Sequence, residues 1–209
     1  ILNGTTGVSI RGDNNQVLGN YIGIDRTGTS NQGNLYSGVA LWEGASQNVV
    51  GGSTTGYRNI ISGNAKDGIW IHGPETAQNR IIGNYIGMRA DGNAAIPNGQ
   101  SGIGIHAGAH HNAIGGGGTG EGNLISGNLD VGVFILGAGT NDNQVLGNII
   151  GANRGGNVAT GQVRYGIAIV DGASNNHIGD GSAGGRNVIS GNQDHGIAIW
   201  GSETVSNTV

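Results

Sequence analysis

The sequence repeats itself every 64 residues without a change of spacing. Asn15, Asn79, Asn143 and Asn207 mark the period, and the words that begin at the first three recur as NQVLGNYIG, NRIIGNYIG and NQVLGNIIG. Each unit contains two similar halves, because the pattern Gly-aliphatic-x-aliphatic returns mostly at alternating intervals of 30 and 34 residues. Periods of this size are typical of stacked solenoids, in which one unit buries its apolar face only against its neighbours.

Each half contains three short runs that have the pattern of β-strands. They read Gly-Ile-x-Ile, Asn-x-Ile-x-Gly, and Asn-x-Ile followed by Ser or Gly. Alternating aliphatic residues with Gly or Asn at the edges favour strands, and the runs are too short and too rich in glycine for helices. Crossovers between parallel strands are right-handed in the great majority of cases. The sequence therefore predicts an all-β, right-handed parallel β-helix of about six to seven three-stranded coils, with residues 1–209 as a single segment.

Equivalent aliphatic residues in successive coils should lie directly over each other, about 4.8 Å apart. Two predicted columns from the first strand hold Ile69, Ile103, Val133, Ile167 and Ile197, and Ile71, Ile105, Ile135, Ile169 and Ile199. The second strand supplies Val17, Val50, Ile81, Ile114, Val145, Ile178 and Val209. The third strand supplies Ile22, Ile61, Ile86, Ile125, Ile150 and Ile189. We expect these four columns to form a narrow apolar interior.

Asparagines recur at the corners in step with the coil. One set precedes the second strand and comprises Asn15, Asn48, Asn79, Asn112, Asn143, Asn176 and Asn207. Such residues could be glycan acceptors or metal ligands, but their spacing follows the coil. We therefore expect a structural ladder, in which each amide bonds the backbone and the amide one coil further on.

The repeated words resemble those of a known class of proteins. Residues 79–128 contain the full motif, and the chain resembles right-handed parallel β-helix repeat proteins, in particular the tandem GNYIG and NxISGN repeats of large secreted or surface bacterial proteins. The resemblance implies an extracellular or cell-surface location. It also implies a connection with polysaccharides, because the wider superfamily includes pectate lyases, polygalacturonases, alginate epimerases and phage tailspike glycosidases. A shared fold does not establish shared chemistry.

Acidic residues offer little for catalysis. Asp67, Asp130 and Asp194 precede first strands on alternate coils, which places them roughly 10 Å apart. That separation is too long for a retaining pair of glycosidase carboxylates. We therefore predict no catalytic residues, and a polysaccharide lyase, hydrolase or epimerase remains the alternative.

Charge and composition limit the partners. The net charge is −4 with nine Lys plus Arg, which argues against nucleic acid. No apolar run reaches roughly 18 residues, so we expect no membrane insertion. We predict no cofactor and no metal site; the alternative is a single Ca²⁺ near Asp25, in the oxygen-rich loop 25–34. His72 and His106 occupy equivalent places on consecutive coils, and we expect both to be exposed.

One outer surface stands out as a candidate binding site. The outward positions of the first strands hold an aromatic set, namely Trp42, Trp70, His72, His106, Phe134 and Trp200. Three uses compete, which are sugar stacking, contact with another chain, and cover by a flanking segment. Leu136 and Val170 add aliphatic surface that a sugar does not need, so we rank protein contact or cover above sugar.

Together these features predict a non-catalytic structural or adhesive segment of an extracellular β-solenoid that assembles into a larger fibre or surface protein. The chain begins and ends inside the repeat pattern, which favours continuation into further coils or self-association. We expect the two sets of longer loops to project from the edges, where solenoids commonly bind ligands. The alternative function is a carbohydrate-active enzyme or carbohydrate-binding module of the pectate-lyase-like superfamily.

Overall fold

A computed structural model of the protein describes residues 1–162 and 164–209. The chain forms a parallel β-solenoid of about six turns, with three all-parallel sheets of seven, six and six strands. Within the described residues, helix is limited to one 3-10 turn at Thr55–Tyr57. The all-β class and the parallel β-helix architecture predicted from the repeats are thus confirmed.

Each sheet collects one strand from every coil. The first sheet contains β1 (Val8–Ile10), β4 (Val39–Trp42), β7 (Ile69–His72), β10 (Ile103–His106), β13 (Val133–Leu136), β16 (Ile167–Val170) and β19 (Ile197–Trp200). The second contains β2 (Gln16–Val17), β5 (Val49–Gly51), β8 (Arg80–Ile82), β11 (Ala113–Gly115), β14 (Gln144–Leu146) and β17 (His177–Ile178). The third contains β3 (Tyr21–Ile22), β6 (Ile60–Ile61), β9 (Tyr85–Ile86), β12 (Leu124–Ile125), β15 (Ile149–Ile150) and β18 (Val188–Ile189).

The strand register places the predicted columns over each other. Ile105 of β10 pairs with Ile71 on one side and with Ile135 on the other. Residues of all four columns make up the main buried cluster, so the alternation of the sequence does identify the interior. Two members at the last coil differ, since Ile199 is 41% exposed and Val209 is also exposed. The reason is that no further strand of the described residues lies beyond them along the solenoid axis.

Amide columns run along the corners of the solenoid. Each asparagine from Asn15 to Asn176 in the predicted set donates its Nδ2 to the Oδ1 of the next member, at 2.9 to 3.1 Å. The backbone N–H of the donor bonds the same oxygen, as Asn79 does to Asn112 at 3.0 Å. Most of these side chains are fully buried. The ladder therefore satisfies amide groups that would otherwise be buried without a partner.

Two further amide ladders lie at the other corners. The second, before the third strands, comprises Asn20, Asn59, Asn84, Asn123, Asn148 and Asn187. The third follows the third strands and comprises Asn34, Asn64, Asn98, Asn128, Gln162 and Asn192. Sequence reasoning missed the third ladder, although its members also keep the 64-residue spacing.

Of the two sets of longer loops, the set that follows the third strands does not project as expected. These loops fold over the outer side of the third sheet, where Met88 and Ile96 pack against Ile60, Tyr85 and Leu124. Successive loops also bond each other, through Ala90 N–H to Gly28 O at 3.1 Å and Arg154 N–H to Gly92 O at 2.9 Å. The physical reason is that the outward residues of the third sheet are apolar and gain from being covered. We call the row of loops 24–32, 88–96 and 152–160 the loop ridge.

Candidate functional site

The three sheets present very different outer faces. The second sheet shows mainly polar side chains, such as Gln16, Arg80, Gln144 and His177, which are all exposed. The third sheet is covered in its middle by the loop ridge. The outer face of the first sheet, here called the aromatic face, consists of two rows of residues. One row is Ala40, Trp70, Gly104, Phe134, Ala168 and Ala198, and the other is Trp42, His72, His106, Leu136, Val170 and Trp200.

Rings in the aromatic face contact each other both within a strand and between neighbouring coils. Trp42 and Trp70 have ring centroids 6.3 Å apart, and Trp70 stacks on His72 at 4.5 Å. His106 meets Phe134 edge to face at 5.5 Å. Trp200 lies apart and contacts Tyr165 at 5.3 Å. The structure therefore brings five of the six predicted face residues into two adjoining ring clusters.

The aromatic face is less exposed than the sequence predicted. Its rings between Trp42 and Phe134 are half-buried, and only Trp200 among the six predicted residues counts as exposed, at 44%. Val170 and Ala168 are buried with Val131 beneath Phe134, Leu136 and Tyr165. Two causes operate: rings in neighbouring coils shield each other, and the chain covers part of the face with Tyr165.

The histidines of the face also differ from expectation, since neither is exposed. Gly104 has no side chain, and the His106 ring occupies that space, with Nε2 where a Cβ on Gly104 would lie. His106 Nε2 is buried and has no hydrogen-bond partner among the described residues. Burial and, to a smaller extent, the charge of the neighbouring His72 lower the pKa of His106 to about 4. At pH 7 the His106 imidazole is therefore uncharged, and its ring fills the space above Gly104.

A groove of about 430 Å³ opens over the small side chain of Ala40. Trp42, Trp70 and Tyr36 line it together with Asp67, Lys66 and uncharged polar residues of the rim. Trp42 is held in place because its Nε1–H donates to Ser9 Oγ at 3.0 Å. The guanidinium of Arg11 lies 4.0 Å from the Trp42 ring centre. The groove thus combines preorganised aromatic walls with a carboxyl group.

Asp67 is the unusual group in this groove. Its residue is 7% exposed, and its Oδ1 accepts the N–H of Ser101 at 3.0 Å. Burial raises the pKa of Asp67 to about 6; the Ser101 hydrogen bond and the charge of Lys66 oppose that rise, and the charge of Asp130 adds to it. Lys66 is adjacent in sequence but forms no ion pair with Asp67 in the described structure. Asp67 was considered in the sequence only as a catalytic acid, and its burial could not be read there.

The candidate catalytic acids are not brought together. Strand β10 lies between β7 and β13, so the turns that hold Asp67 and Asp130 are two strands apart. Asp130 pairs with Arg164 at 3.3 Å, and Asp194 contacts His195 at 3.2 Å. Within the described residues, no hydrogen bond joins any two of these three acids.

The loop of the proposed calcium ion is closed by its own hydrogen bonds. Asp25 Oδ1 accepts the N–H groups of Thr29 and Ser30 at 3.0 Å, and these bonds, after that from Thr27 Oγ1, lower its pKa to about 2. Asn153 plays the same part in its own loop. In the described part of the chain, no three His, Cys, Asp or Glu side chains cluster as metal ligands would. Calcium near Asp25 stays a prediction from sequence.

The chain has no match among known protein-family models, curated proteins or solved structures. The described residues also contain no helix with the length and apolar character needed to cross a membrane. The function therefore has to be inferred from the geometry of the three outer faces.

Proposed function

We propose that this chain is a non-catalytic structural or adhesive segment of an extracellular or cell-surface β-solenoid, of the tandem GNYIG and NxISGN repeat type. In this proposal the aromatic face contacts other copies or further coils of the same protein. The observation that carries it is the contrast among the three outer faces. One is polar, one is covered by the loop ridge, and the aromatic face combines half-buried rings with an open groove.

Protein contact fits this face better than sugar stacking along its whole length. The second half of the face is aliphatic as well as aromatic, with Leu136 and Tyr165 packed over Val170. Such surface gains by excluding water against another apolar surface and offers few hydrogen bonds to hydroxyl groups. A carbohydrate-binding module remains the second candidate, favoured by the presence of Trp42 and Trp70 in one groove.

The test of this function is a change in self-association. Replacing Trp70 and Phe134 together by Ser removes rings from both clusters of the aromatic face. We expect the concentration at which sedimentation velocity detects association to rise at least tenfold, while the circular dichroism of the sheets is unchanged. The matched control replaces Gln16 and Gln144 by Ser on the polar second sheet and should associate like wild type. A wild type that stays monomeric at high concentration would contradict the proposal.

The enzymatic alternative has its own outcome. Incubation with uronate and neutral polysaccharides should give neither new reducing ends nor unsaturated products. Turnover that Asp67→Asn or Asp130→Asn abolishes would establish an enzyme instead.

A further inference from the structure

The groove lies over Ala40 of the first unit, and the repeat places an equivalent position in each of the other two units. In the second unit the equivalent residue is Gly104, and His106 fills the space above it. In the third unit the equivalent residue is Ala168, which is fully buried in the cluster that Tyr165 covers. The first unit has neither cover, because Trp42 stands in the place of His106 and Ser37 in that of Tyr165. The open groove is therefore a feature of this unit and not of the fold.

The carboxyl of Asp67 is also specific to this unit. One repeat later the same position holds Val131, which is buried among apolar side chains. Packing at this depth thus needs only an aliphatic residue, and a carboxyl here costs free energy because it is removed from water. Lys66 also lines the groove and its charge lowers the pKa of Asp67, but among the described residues its ammonium forms no ion pair with the carboxyl. A cation that reaches the carboxyl directly would therefore offset more of that cost.

The chain itself shows which cation suits such surroundings. Arg164 lies 4.8 Å from the Tyr165 ring centre and pairs with Asp130 at 3.3 Å, so one guanidinium contacts a ring and a carboxylate together. Arg58 over Tyr85, at 4.1 Å, is a further guanidinium on a ring. A guanidinium is planar, stacks on aromatic rings and binds a carboxylate through two N–H groups.

A second copy of this chain offers suitable guanidinium groups on its loop ridge. Arg26, Arg89 and Arg154 lie in the three stacked loops and are exposed. None of the three forms an ion pair among the described residues. They lie on the third sheet, whereas the groove lies on the first. A contact between the two would therefore join unlike faces of neighbouring copies.

We propose that the groove formed by Tyr36, Trp42, Asp67 and Trp70 receives an arginine side chain from the loop ridge of a neighbouring copy. The guanidinium stacks on an indole and donates two hydrogen bonds to the Asp67 carboxylate. The groove, at about 430 Å³, has room for the aliphatic stem as well. This inference rests on the proposed function, since it identifies the specific contact within the aromatic face.

The first test is a set of charge-removing variants measured by sedimentation velocity. Asp67→Asn keeps the shape of the side chain and should weaken self-association at least tenfold, whereas Asp194→Asn, an exposed acid beside another first strand, should not. Among Arg26→Gln, Arg89→Gln and Arg154→Gln, one variant should weaken self-association as much as Asp67→Asn does. Arg186→Gln, outside the loop ridge, is the control and should associate like wild type. Combining that Arg→Gln with Asp67→Asn should cause no further loss. Additive losses would show that the two groups do not meet.

The second test uses a small probe and one copy of the protein. A blocked Gly-Arg-Gly peptide should shift the indole N–H signals of Trp42 and Trp70 in NMR spectra, with the Trp200 signal as an internal reference. The same peptide with citrulline, which is neutral but similar in shape, should bind at least tenfold more weakly. Binding of neutral or uronate oligosaccharides at this groove, without binding of the arginine peptide, would overturn the inference in favour of a sugar site.

The two proposals fail separately. If the Trp70 and Phe134 double variant loses association but Asp67→Asn and the arginine variants do not, the aromatic face is the contact surface and the arginine pocket is wrong. If the double variant also associates like wild type, the contact surface itself is wrong.

Discussion

Asp67 and His106 both approach the point that a Cβ on Gly104 would occupy, and the two groups respond to pH in opposite directions. Asp67 has its pKa raised from 3.8 to about 6, so its contribution to stability is present at low pH and is lost as pH rises through that range. His106 has its pKa lowered from 6.5 to about 4, so its contribution is present at neutral pH and is lost as pH falls through that range. Between pH 4 and 6.5 the two effects largely cancel in the wild type.

Asp67→Asn should reveal this cancellation. The variant has no carboxyl to deprotonate in the interior, so we expect its free energy of unfolding at pH 7 to exceed that of wild type by about 1–3 kcal/mol. The advantage should shrink towards pH 4, where the native carboxyl is already protonated. Denaturant unfolding at several pH values measures the difference, with Asp194→Asn as the exposed control. Equal stability of variant and wild type at pH 7 would contradict the burial of a charged group.

Removing one amide from the buried part of a ladder should lower the free energy of unfolding more than removing one at its exposed start. Asn112→Ala removes the acceptor for both the N–H and the Nδ2 of Asn79, which are buried. We expect a loss of about 2–4 kcal/mol in the free energy of unfolding, because buried donors are left without partners. Asn15→Ala, in the same ladder but exposed, should cost less than about 1 kcal/mol. Similar losses for both variants would mean that burial does not set the strength of the ladder.

At the scale of elements, the loop ridge behaves as a second layer of core. Met88 lies outside any strand and is fully buried against the third sheet. Met88→Ala should therefore lower the free energy of unfolding by about 2–4 kcal/mol, the range for buried residues of strands and helices. Val158 belongs to the equivalent loop of a later coil but is 53% exposed, so Val158→Ala should have almost no effect. Thermal or denaturant unfolding of both variants decides whether the loops fold back or project.

The sequence predicts strands better than it predicts what covers them. Alternation of Ile and Val determines which side of a strand faces inward, because side chains alternate along strands. The columns could therefore be identified residue by residue. The direction of the loops could not be predicted, because it depends on contacts of Met88 and Ile96 with Tyr85. These contacts leave no periodic pattern in the local sequence. The right-handed sense of the coil stays a prediction from crossover statistics.

The candidate site was predictable in composition but not in shape. Outward positions of the first strands can be counted from the repeat, which located the tryptophans on one face. Whether a ring is exposed depends on its neighbour one coil away, as with His106 lying over Gly104. The groove likewise results from the small side chain of Ala40 between two tryptophans. Such differences between equivalent positions are invisible to a pattern that treats the units as alike.

At the scale of the whole molecule, the solenoid presents outer faces of different character. The interior is maintained by apolar columns and amide ladders, and the ridge closes the third sheet. The aromatic face and the ridge lie on different sides, so contacts between them join copies by unlike surfaces. Interfaces of that kind close into rings or grow as open arrays, depending on the rotation between copies. Electron micrographs of concentrated protein would distinguish closed rings from open arrays.

The amide ladders also give the molecule a direction. In the ladder that precedes the second strands, each Nδ2 donates to the Oδ1 of the next coil, so the amide-to-amide bonds all run in one direction, and all strands of a sheet run the same way. At one end of the solenoid this ladder therefore presents hydrogen-bond donors, and at the other end it presents acceptors. Two molecules stacked head to head would place donors opposite donors, or acceptors opposite acceptors, and leave these groups unpaired. Stacked head to tail, each donor meets an acceptor. Any array that continues these columns is consequently vectorial, with a distinguishable front and rear.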